Sequence, residues 1–192
     1  MPLTRLERVV AGIQRSVDNG ARVFWVCPLV EENEQLDLAA AQERYSSLVQ
    51  VFGEDKVGLV HGRISNRDKD AAMAAFVAGE TKIMVATTVI EVGVDVPEAT
   101  IMLIEHAERF GLAQLHQLRG RVGRGIQQSH CLLLYGEPLG ETARARIAIM
   151  RETEDGFRIA EEDLRLRGTG ELLGTRQSGF PNFRVADPTV HQ

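Results

Sequence analysis

The stretch that decides the fold runs Lys82-Ile-Met-Val-Ala-Thr-Thr-Val-Ile-Glu-Val-Gly-Val-Asp-Val-Pro-Glu-Ala-Thr-Ile-Met-Leu-Ile104. Two apolar runs, 82–87 and 100–104, flank a stretch that contains a glycine and polar residues. Each run is too continuous for a strand with one face in water, so both predict strands buried on two faces. Strands of this kind belong to a parallel sheet that helices cover on either side.

The same pattern repeats along the first two thirds of the chain. Short apolar runs at 22–27, 57–60 and 130–135 predict three more buried strands. Apolar residues at three- and four-residue spacing predict helices over 3–17, 36–52 and 66–78, the last ending at Gly79. Alternating strands and helices predict an α/β fold with crossover connections.

A cluster of Gly136, Pro138 and Gly140 marks a change of pattern. Beyond it the sequence predicts a helical hairpin, 142–151 and 157–166, followed by a glycine-punctuated extended arm over 167–179. We expect a domain over 1–138 and the hairpin with its arm over 139–192. The apolar residues predicted to face each other in the hairpin are Ile147 and Met150, and Phe157, Ala160 and Leu164.

Composition excludes several classes of protein. The 192 residues carry 22 Lys and Arg against 27 Asp and Glu, a net charge of −5, which argues against a uniformly basic nucleic-acid binder. Residues 109–192 contain 12 Arg and no Lys. Two distant cysteines form no metal or disulfide framework. With no signal peptide and no membrane-spanning run in the sequence, we expect a soluble, cytoplasmic protein without a membrane partner.

The polar stretch after the strand at 82–87 is the first candidate site. Thr87 and Thr88 offer hydroxyls, Gly93 permits close approach of the backbone, and Asp95 offers a carboxylate. Hydroxyls and amides can hold phosphate, and a carboxylate suits a ribose diol. Turn and capping chemistry would use the same residues, so both interpretations stay open.

A second candidate site is the arginine-rich stretch Gln117-Leu-Arg-Gly120-Arg-Val-Gly-Arg124. Its three guanidinium groups have no acidic residue between positions 109 and 136 to pair with. A planar fork of donors matches phosphate oxygens, and an arginine can stabilise the charge that develops in phosphoryl transfer. The alternative is a solvated charged face.

These stretches resemble known signature motifs. Gln117-x-x-Gly120-Arg121-x-x-Arg124 matches the sixth motif of superfamily 2 helicases position by position, and 86–97 resembles the fifth. With His61-Gly62-Arg63 and the arm at 167–179, the chain resembles the RecG family of branched-DNA translocases from residue 25 to residue 179.

The resemblance implies a second RecA-like motor lobe, with ATP between it and a first lobe. It implies a catalytic role at the γ-phosphate for Arg124, with Arg121 and Gln117 beside it. It implies nucleotide binding by Gly93, Asp95 and Gly120. DNA binding or coupling would fall to His61, Gly62, Arg63, Thr87, Thr88 and Glu91. Translocation would fall to Arg146, Arg167 and Gln177.

Four further arginines pair by helical position within the predicted hairpin. Arg144 with Arg151, and Arg158 with Arg165, stand seven residues apart, so each pair shares a helical face. Ion pairs with nearby glutamates and contacts with nucleic acid remain equal alternatives for these four.

Two parts of such a motor are missing from the sequence. It contains no Gly-Lys-Ser/Thr phosphate loop and no Asp-Glu pair for magnesium. We therefore expect a fragment of a larger enzyme, inactive alone, with ATP and Mg²⁺ held mainly by the missing first lobe. The expected partners are branched or duplex DNA and the first lobe and wedge domain of the same full-length chain, in the bacterial cytoplasm near the nucleoid.

Two other functions stay open. One is the translocase lobe of a transcription-repair coupling factor, which shares the sixth motif and the arm. The other is a stand-alone, non-catalytic DNA-binding module.

Overall fold

A computed structural model describes residues 1–28, 34–87, 96, 98–123 and 128–172. Its centre is a sheet of five parallel strands in the order β2-β3-β1-β4-β5. The strands are β1 (Arg22–Cys27), β2 (Val57–Val60), β3 (Ile83–Thr87), β4 (Ala99–Ile104) and β5 (His130–Leu133). The parallel α/β sheet predicted from the sequence is confirmed, with every strand within two residues of its predicted bounds.

In the described residues, six α-helices flank the sheet. They are α1 (Leu6–Asp18), α2 (Glu34–Phe52), α3 (Asn66–Ala78), α4 (Leu112–Arg119), α5 (Glu141–Glu152) and α6 (Gly156–Leu172). α3 shows how local sequence sets the bounds. Ser65 Oγ accepts a hydrogen bond from Asp68 N at its start, and Gly79 ends it at φ 77°, a left-handed conformation that glycine adopts without steric cost.

The sheet has a separate apolar core on each face. Val23, Trp25 and Cys27 of β1 pack with α1 and α2, whereas Phe24 and Val26 pack on the opposite face with α3 and α4. Successive strand residues point to opposite faces, so one continuous apolar strand supplies both cores. Trp25 is fully buried in this way.

The helical hairpin is α5 and α6, and it shares the core of the second face. Ile147 and Met150 of α5 are buried as predicted. Ile149 and Ile159 belong to the same apolar cluster as Phe24 of the central strand. The predicted boundary between domains at residue 138 stays a prediction.

The predicted inner face of α6 was wrong. Phe157 is 90% exposed and Leu164 is 69% exposed, whereas Ile159 and Asp163 are buried. The predicted set and the buried set each have helical spacing, but they lie on different faces of α6. The prediction chose the set with more apolar residues. The buried carboxylate of Asp163 made the true inner face look polar.

The predicted start of the extended arm was also wrong. α6 continues through Arg167 and ends at Leu172, so Gly168 and Gly170 lie inside a helix. A glycine costs about 1 kcal/mol in a helix relative to alanine, which weakens a helix without ending it. The remainder of the arm, 173–179, lies outside the described residues.

Within the described part of the chain, no helix is long and apolar enough to cross a membrane.

Candidate functional site

His61 and Thr87 lie side by side where two strands end. β2 and β3 are neighbours, and their register pairs Val60 with Ala86, so the next residue of each strand reaches the same edge of the sheet. Thr87 is buried, and its Oγ1 makes no hydrogen bond with any of the described residues. A buried hydroxyl without a partner is costly, so this edge is suited to a ligand that supplies one.

The turn after β2 holds His61 in a defined orientation. His61 Nδ1 accepts a hydrogen bond from the backbone N of Arg63 at 3.2 Å. Burial lowers the pKa of His61, and the nearby charges of Lys69 and Arg63 lower it further. Gly62 and Arg63 are exposed. The turn therefore presents a neutral imidazole and an accessible guanidinium at the edge of the sheet.

Three residues outside the predicted sites form a hydrogen-bonded network near the ends of β1 and β4. Glu105 directly follows β4 and is buried, and it accepts hydrogen bonds from Trp25 Nε1 and Arg44 Nε. Arg44 Nη2 also donates to Glu105 Oε2 at 3.2 Å, and its guanidinium lies 5.8 Å from the centre of the Trp25 ring. The signal that could have found this network is an acid placed directly after a fully apolar strand.

The arginine-rich stretch does not follow a strand directly. It forms α4 and the turn after it, with Gln117 exposed on the helix and Gly120 at its C-terminal end. The helix begins at Gly111, whose backbone N donates to Gln114 Oε1 at 3.0 Å. Gln117, Gly120 and Arg121 are thus grouped at one end of a short helix.

Arg119 has a structural partner that the sequence did not reveal. Its Nη1 donates to the backbone carbonyls of Met150 at 2.9 Å and Thr153 at 2.8 Å, at the C-terminal end of α5. Its Nη2 lies 3.0 Å from His116 Nδ1. A cation at a helix C-terminus interacts favourably with the unpaired carbonyls. The expectation that these arginines require an anionic partner was therefore wrong for Arg119.

His116 belongs to the same contact. A Cβ built on Gly156, the first residue of α6, would lie 3.1 Å from His116 Nε2. The side chain of His116 therefore lies against the turn of the hairpin. Together, His116 and Arg119 fasten α4 to the hairpin.

Arg121 differs from Arg119 in its surroundings. It is half-buried, and among the described residues its guanidinium makes no hydrogen bond or ion pair. A guanidinium held against the protein without a partner has all five donors available to an anion.

The hairpin sorts its arginines by helical face. Arg146 lies on the inner side with Ile149 and Met150, and its buried Nε makes no hydrogen bond within the part of the chain that the structure describes. Arg144 and Arg151 are exposed on the other side of α5, and neither makes an ion pair with a described residue. The predicted shared face of these two arginines agrees with the structure.

On α6 the sequence left ion pairing open for two arginines. Arg165 pairs with Glu162, with Nη2 and Oε2 2.7 Å apart. An exposed pair three residues apart on a helix is a local contact of small energy. Arg158 is exposed.

Arg167 lies in α6. Six other predicted site residues cannot be placed. Thr88, Glu91, Gly93, Asp95, Arg124 and Gln177 lie outside the described residues. The structure thus brings His61 and Thr87 together at one edge, and Gln117, Gly120 and Arg121 together at the end of α4. Among the residues that can be placed, no group of three or more His, Cys, Asp or Glu could hold a metal ion.

Comparison with known protein families gives two matches. The family described as "Helicase conserved C-terminal domain" matches residues 4–125. The family described as "ATP-dependent DNA helicase RecG, domain 3, C-terminal" matches residues 153–188.

Relatives named "ATP-dependent DNA helicase RecG" resemble nearly the whole chain. The one from Acidithiobacillus ferridurans is 55% identical over 97% of this chain, and the one from Escherichia coli K12 is 52% identical over 97%. The chain spans 27% of the length of each of these relatives.

Solved structures agree with these matches. The structure described as RecG bound to a three-way DNA junction has a TM-score of 0.74 and 46% identity, and the match covers 90% of this chain and 22% of that one. Yeast Dbp5 bound to RNA and ADP BeF3 has a TM-score of 0.53 at 15% identity, covering 80% of this chain and 39% of its own, which shows a shared fold.

Proposed function

Because the chain belongs to the helicase C-terminal domain family, and within it to the RecG group, we propose that it is the second motor lobe and translocation hairpin of an ATP-dependent DNA helicase. In the complete enzyme this lobe would act with a first RecA-like lobe and a wedge domain on branched or duplex DNA. Such an enzyme would remodel stalled replication forks in the bacterial cytoplasm, near the nucleoid.

The observation that carries this proposal is the contrast between Arg119 and Arg121. Two residues apart in one motif, Arg119 is fully engaged by the hairpin, whereas Arg121 is half-buried and makes no hydrogen bond or ion pair with a described residue. A structural role accounts for the first guanidinium and leaves the second for a ligand. Its planar donors suit the oxygens of a phosphate.

ATP, when bound between the lobes, would supply the free energy for movement. Arg121 would hold its phosphate oxygens, Arg124 would contact the γ-phosphate and Gln117 would lie beside both. Gly93, Gly120 and Asp95 would contact the nucleotide through backbone and carboxylate. Mg²⁺ would be held mainly by the first lobe.

The DNA contacts would lie at the edge where β2 and β3 end. His61 is neutral there, and Arg63 is exposed and can contact a phosphate. The hydroxyl of Thr87, which makes no hydrogen bond with a described residue, would form a hydrogen bond with the DNA strand. Gly62, Thr88 and Glu91 would complete this surface and link it to the nucleotide.

The hairpin would transmit conformational change between the nucleotide site and the DNA. Arg119 and Arg121 belong to one motif, and Arg119 bonds this motif to the end of α5. A change at the nucleotide would therefore reach the hairpin through a direct contact. Arg146, Arg167 and Gln177 would convert that change into movement on duplex DNA. The family match over 153–188 favours a RecG-type enzyme over a transcription-repair coupling factor.

The proposal is tested by measuring phosphate release from ATP with and without forked DNA. We expect DNA-stimulated release from the full-length protein and none from the 192-residue chain. Addition of the separately prepared upstream part should restore some release. DNA-stimulated release by the 192-residue chain alone would contradict the division of the site between two lobes.

A further inference from the structure

The two most exposed large apolar side chains of the described residues lie on one face of α6. Phe157 is 90% exposed and Leu164 is 69% exposed. They stand seven residues apart, so they lie on the same side of the helix, about 10.5 Å apart along its axis. Ala160 and Glu161 lie between them and are also exposed. We call these four residues the outer face of α6.

The outer face has the character of a surface that packs against another segment. A single exposed apolar residue is common on proteins, but two that are aligned on one helical face form an apolar stripe in water. The other side of α6, with Ile159 and Asp163, is already buried. Covering the outer face would therefore remove apolar surface from water without disturbing the core.

The sequence that follows α6 contains apolar residues suited to this face. Residues 173–192 lie outside the described residues, and their two phenylalanines are Phe180 and Phe183. Pro181 fixes its own φ at about −65° and favours an extended Phe180, so the sequence predicts polyproline II geometry at this point. One family model matches residues 153–188 and so includes both the outer face and this segment.

The spacing of the two phenylalanines matches the spacing on the helix. A polyproline II segment has three residues per turn and rises about 3.1 Å per residue, so Phe180 and Phe183 would lie on one side of it, about 9 Å apart. Phe157 and Leu164 are about 10.5 Å apart along the axis of α6. Two side chains of the segment can thus contact two side chains of the helix at the same time.

The connection is long enough for the chain to return along α6. The helix ends at Leu172, about 12 Å beyond Leu164 along the axis. The eight residues from Leu172 to Phe180 can span about 26 Å, and they include two glycines that permit a reversal of direction. An antiparallel return brings Phe180 to Leu164 and Phe183 to Phe157.

The charges favour the same register. Arg184 directly follows Phe183 in the sequence. Glu154 and Asp155, at the turn of the hairpin next to Phe157, are exposed. With Phe183 at Phe157, the guanidinium of Arg184 lies beside these two carboxylates.

We propose that residues 180–184 bind the outer face of α6, with Phe180 against Leu164 and Phe183 against Phe157. The segment covers the side of α6 that faces away from the sheet, so that the helix is packed on both sides. This inference goes beyond the motor function proposed above and does not rest on the nucleotide or DNA contacts.

Disulfide formation in the 192-residue chain tests the contact. Leu164→Cys with Phe180→Cys places two thiols in facing positions, whereas Arg165→Cys with Phe180→Cys turns one thiol about 100° around the helix. We expect the facing pair to form its intrachain disulfide in a glutathione buffer at least about tenfold faster, because the bond requires Cα atoms within about 7 Å. Leu164→Cys alone controls for Cys27, which is buried, and Cys131, which is half-buried.

Two further comparisons test the register and the second contact. Leu164→Cys with Phe183→Cys displaces the thiols by about 9 Å and should react as slowly as the rotated pair. In the chain with the facing thiols, Phe157→Ser should slow disulfide formation at least about fivefold, because it removes the remaining apolar contact. Arg158→Ser is the matched control at the next residue and should leave the rate within about twofold. Phe157 lies outside the core, so this substitution leaves the fold intact.

Three results would overturn the proposal. The first is equal rates for the facing and the rotated pair, and the second is a rate that Phe157→Ser does not lower. The third is a disulfide that forms mainly between two chains and forms faster as the protein concentration rises. That result would assign the outer face to a second copy of this chain.

Discussion

Arg119 Nη1 donates a hydrogen bond of 2.9 Å to the backbone carbonyl of Met150, a residue 31 positions later in the chain. The bond joins the arginine-rich helix α4 to the C-terminal end of α5. It distinguishes Arg119, a structural arginine, from Arg121, whose guanidinium makes no hydrogen bond or ion pair with a described residue. The first two predictions follow from this division.

Arg119→Ala should destabilise the protein because it removes two hydrogen bonds from a charged donor to the end of α5. We expect the free energy of unfolding to fall by about 2–4 kcal/mol. Urea unfolding of the 192-residue chain measures this. Arg121→Ala is the matched control, and we expect it to change stability by less than about 0.5 kcal/mol. Equal losses in the two variants would contradict the division.

Arg121→Ala in the full-length enzyme should strongly reduce ATP hydrolysis and leave the stability of the protein nearly unchanged. We expect DNA-stimulated phosphate release to fall by about 10³-fold or more, as for loss of an arginine that stabilises a transferring phosphoryl group, and the same for Arg124→Ala. Binding of forked DNA should be nearly unchanged. Arg15→Ala, at an exposed arginine of α1 on the other face of the sheet, is the control. Loss of DNA binding in step with hydrolysis would assign Arg121 to the DNA.

Arg167→Ala and Gln177→Ala should separate hydrolysis from movement. If these residues couple the two, the full-length variants should keep most of their DNA-stimulated ATP hydrolysis. Fork unwinding per ATP hydrolysed should fall by about 5- to 150-fold, the range of typical coupling free energies. Arg146→Ala should do the same. A parallel loss of both activities would argue against a coupling role.

Glu105→Gln should be strongly destabilising because it removes the charge that pairs with Arg44 in a buried position. Breaking a buried ion pair costs about 3–5 kcal/mol. Thermal and urea unfolding measure the loss. Glu98→Gln is the control, since its carboxylate is 58% exposed and lies 3.5 Å from Arg22. Little change in Glu105→Gln would mean that hydrogen bonding alone, and not the charge, stabilises this network.

His61 should titrate below its ordinary value of 6.5 in the folded chain. The sign follows from a folded state that disfavours the charged imidazole. The contribution of the neutral His61 imidazole to the free energy of unfolding is fully present above pH 6.5, and it is lost as the pH falls toward the lowered pKa. NMR titration of His61 measures the pKa, and Lys69→Gln should raise it. Arg67→Gln, on the same helix, should have no effect; a pKa at or above 6.5 in the parent would refute the interpretation.

The sequence was sufficient to predict the fold because buried parallel strands and helix ends have local signals. β3 and β4 are continuous apolar runs, and Gly79 ends α3 at the predicted residue. The end of β3 located Thr87, whereas His61 was predicted from the family resemblance, and their adjacency follows from the strand order, which no local pattern reveals. The sequence therefore predicted where a residue lies within its own helix or strand, but not which residues of other elements lie next to it.

The misplaced features depended on contacts between distant segments. The partners of Arg119 are backbone carbonyls, which every residue has and no pattern marks. The acid that follows β4 is visible in the sequence, but its partner Arg44 of α2 is not. The inner face of α6 was hidden by Asp163, a buried acid that apolar counting cannot detect.

The sharing of one apolar core by α5, α6 and the central strand has a consequence for how the chain can be divided. Removing everything after residue 138 would take Ile149, Met150 and Ile159 from a cluster that also contains Phe24. The remaining lobe would expose that surface to water, which favours aggregation over an independently soluble product. The hairpin and the sheet should accordingly melt in a single cooperative transition, so shortened versions of this protein are best ended beyond α6.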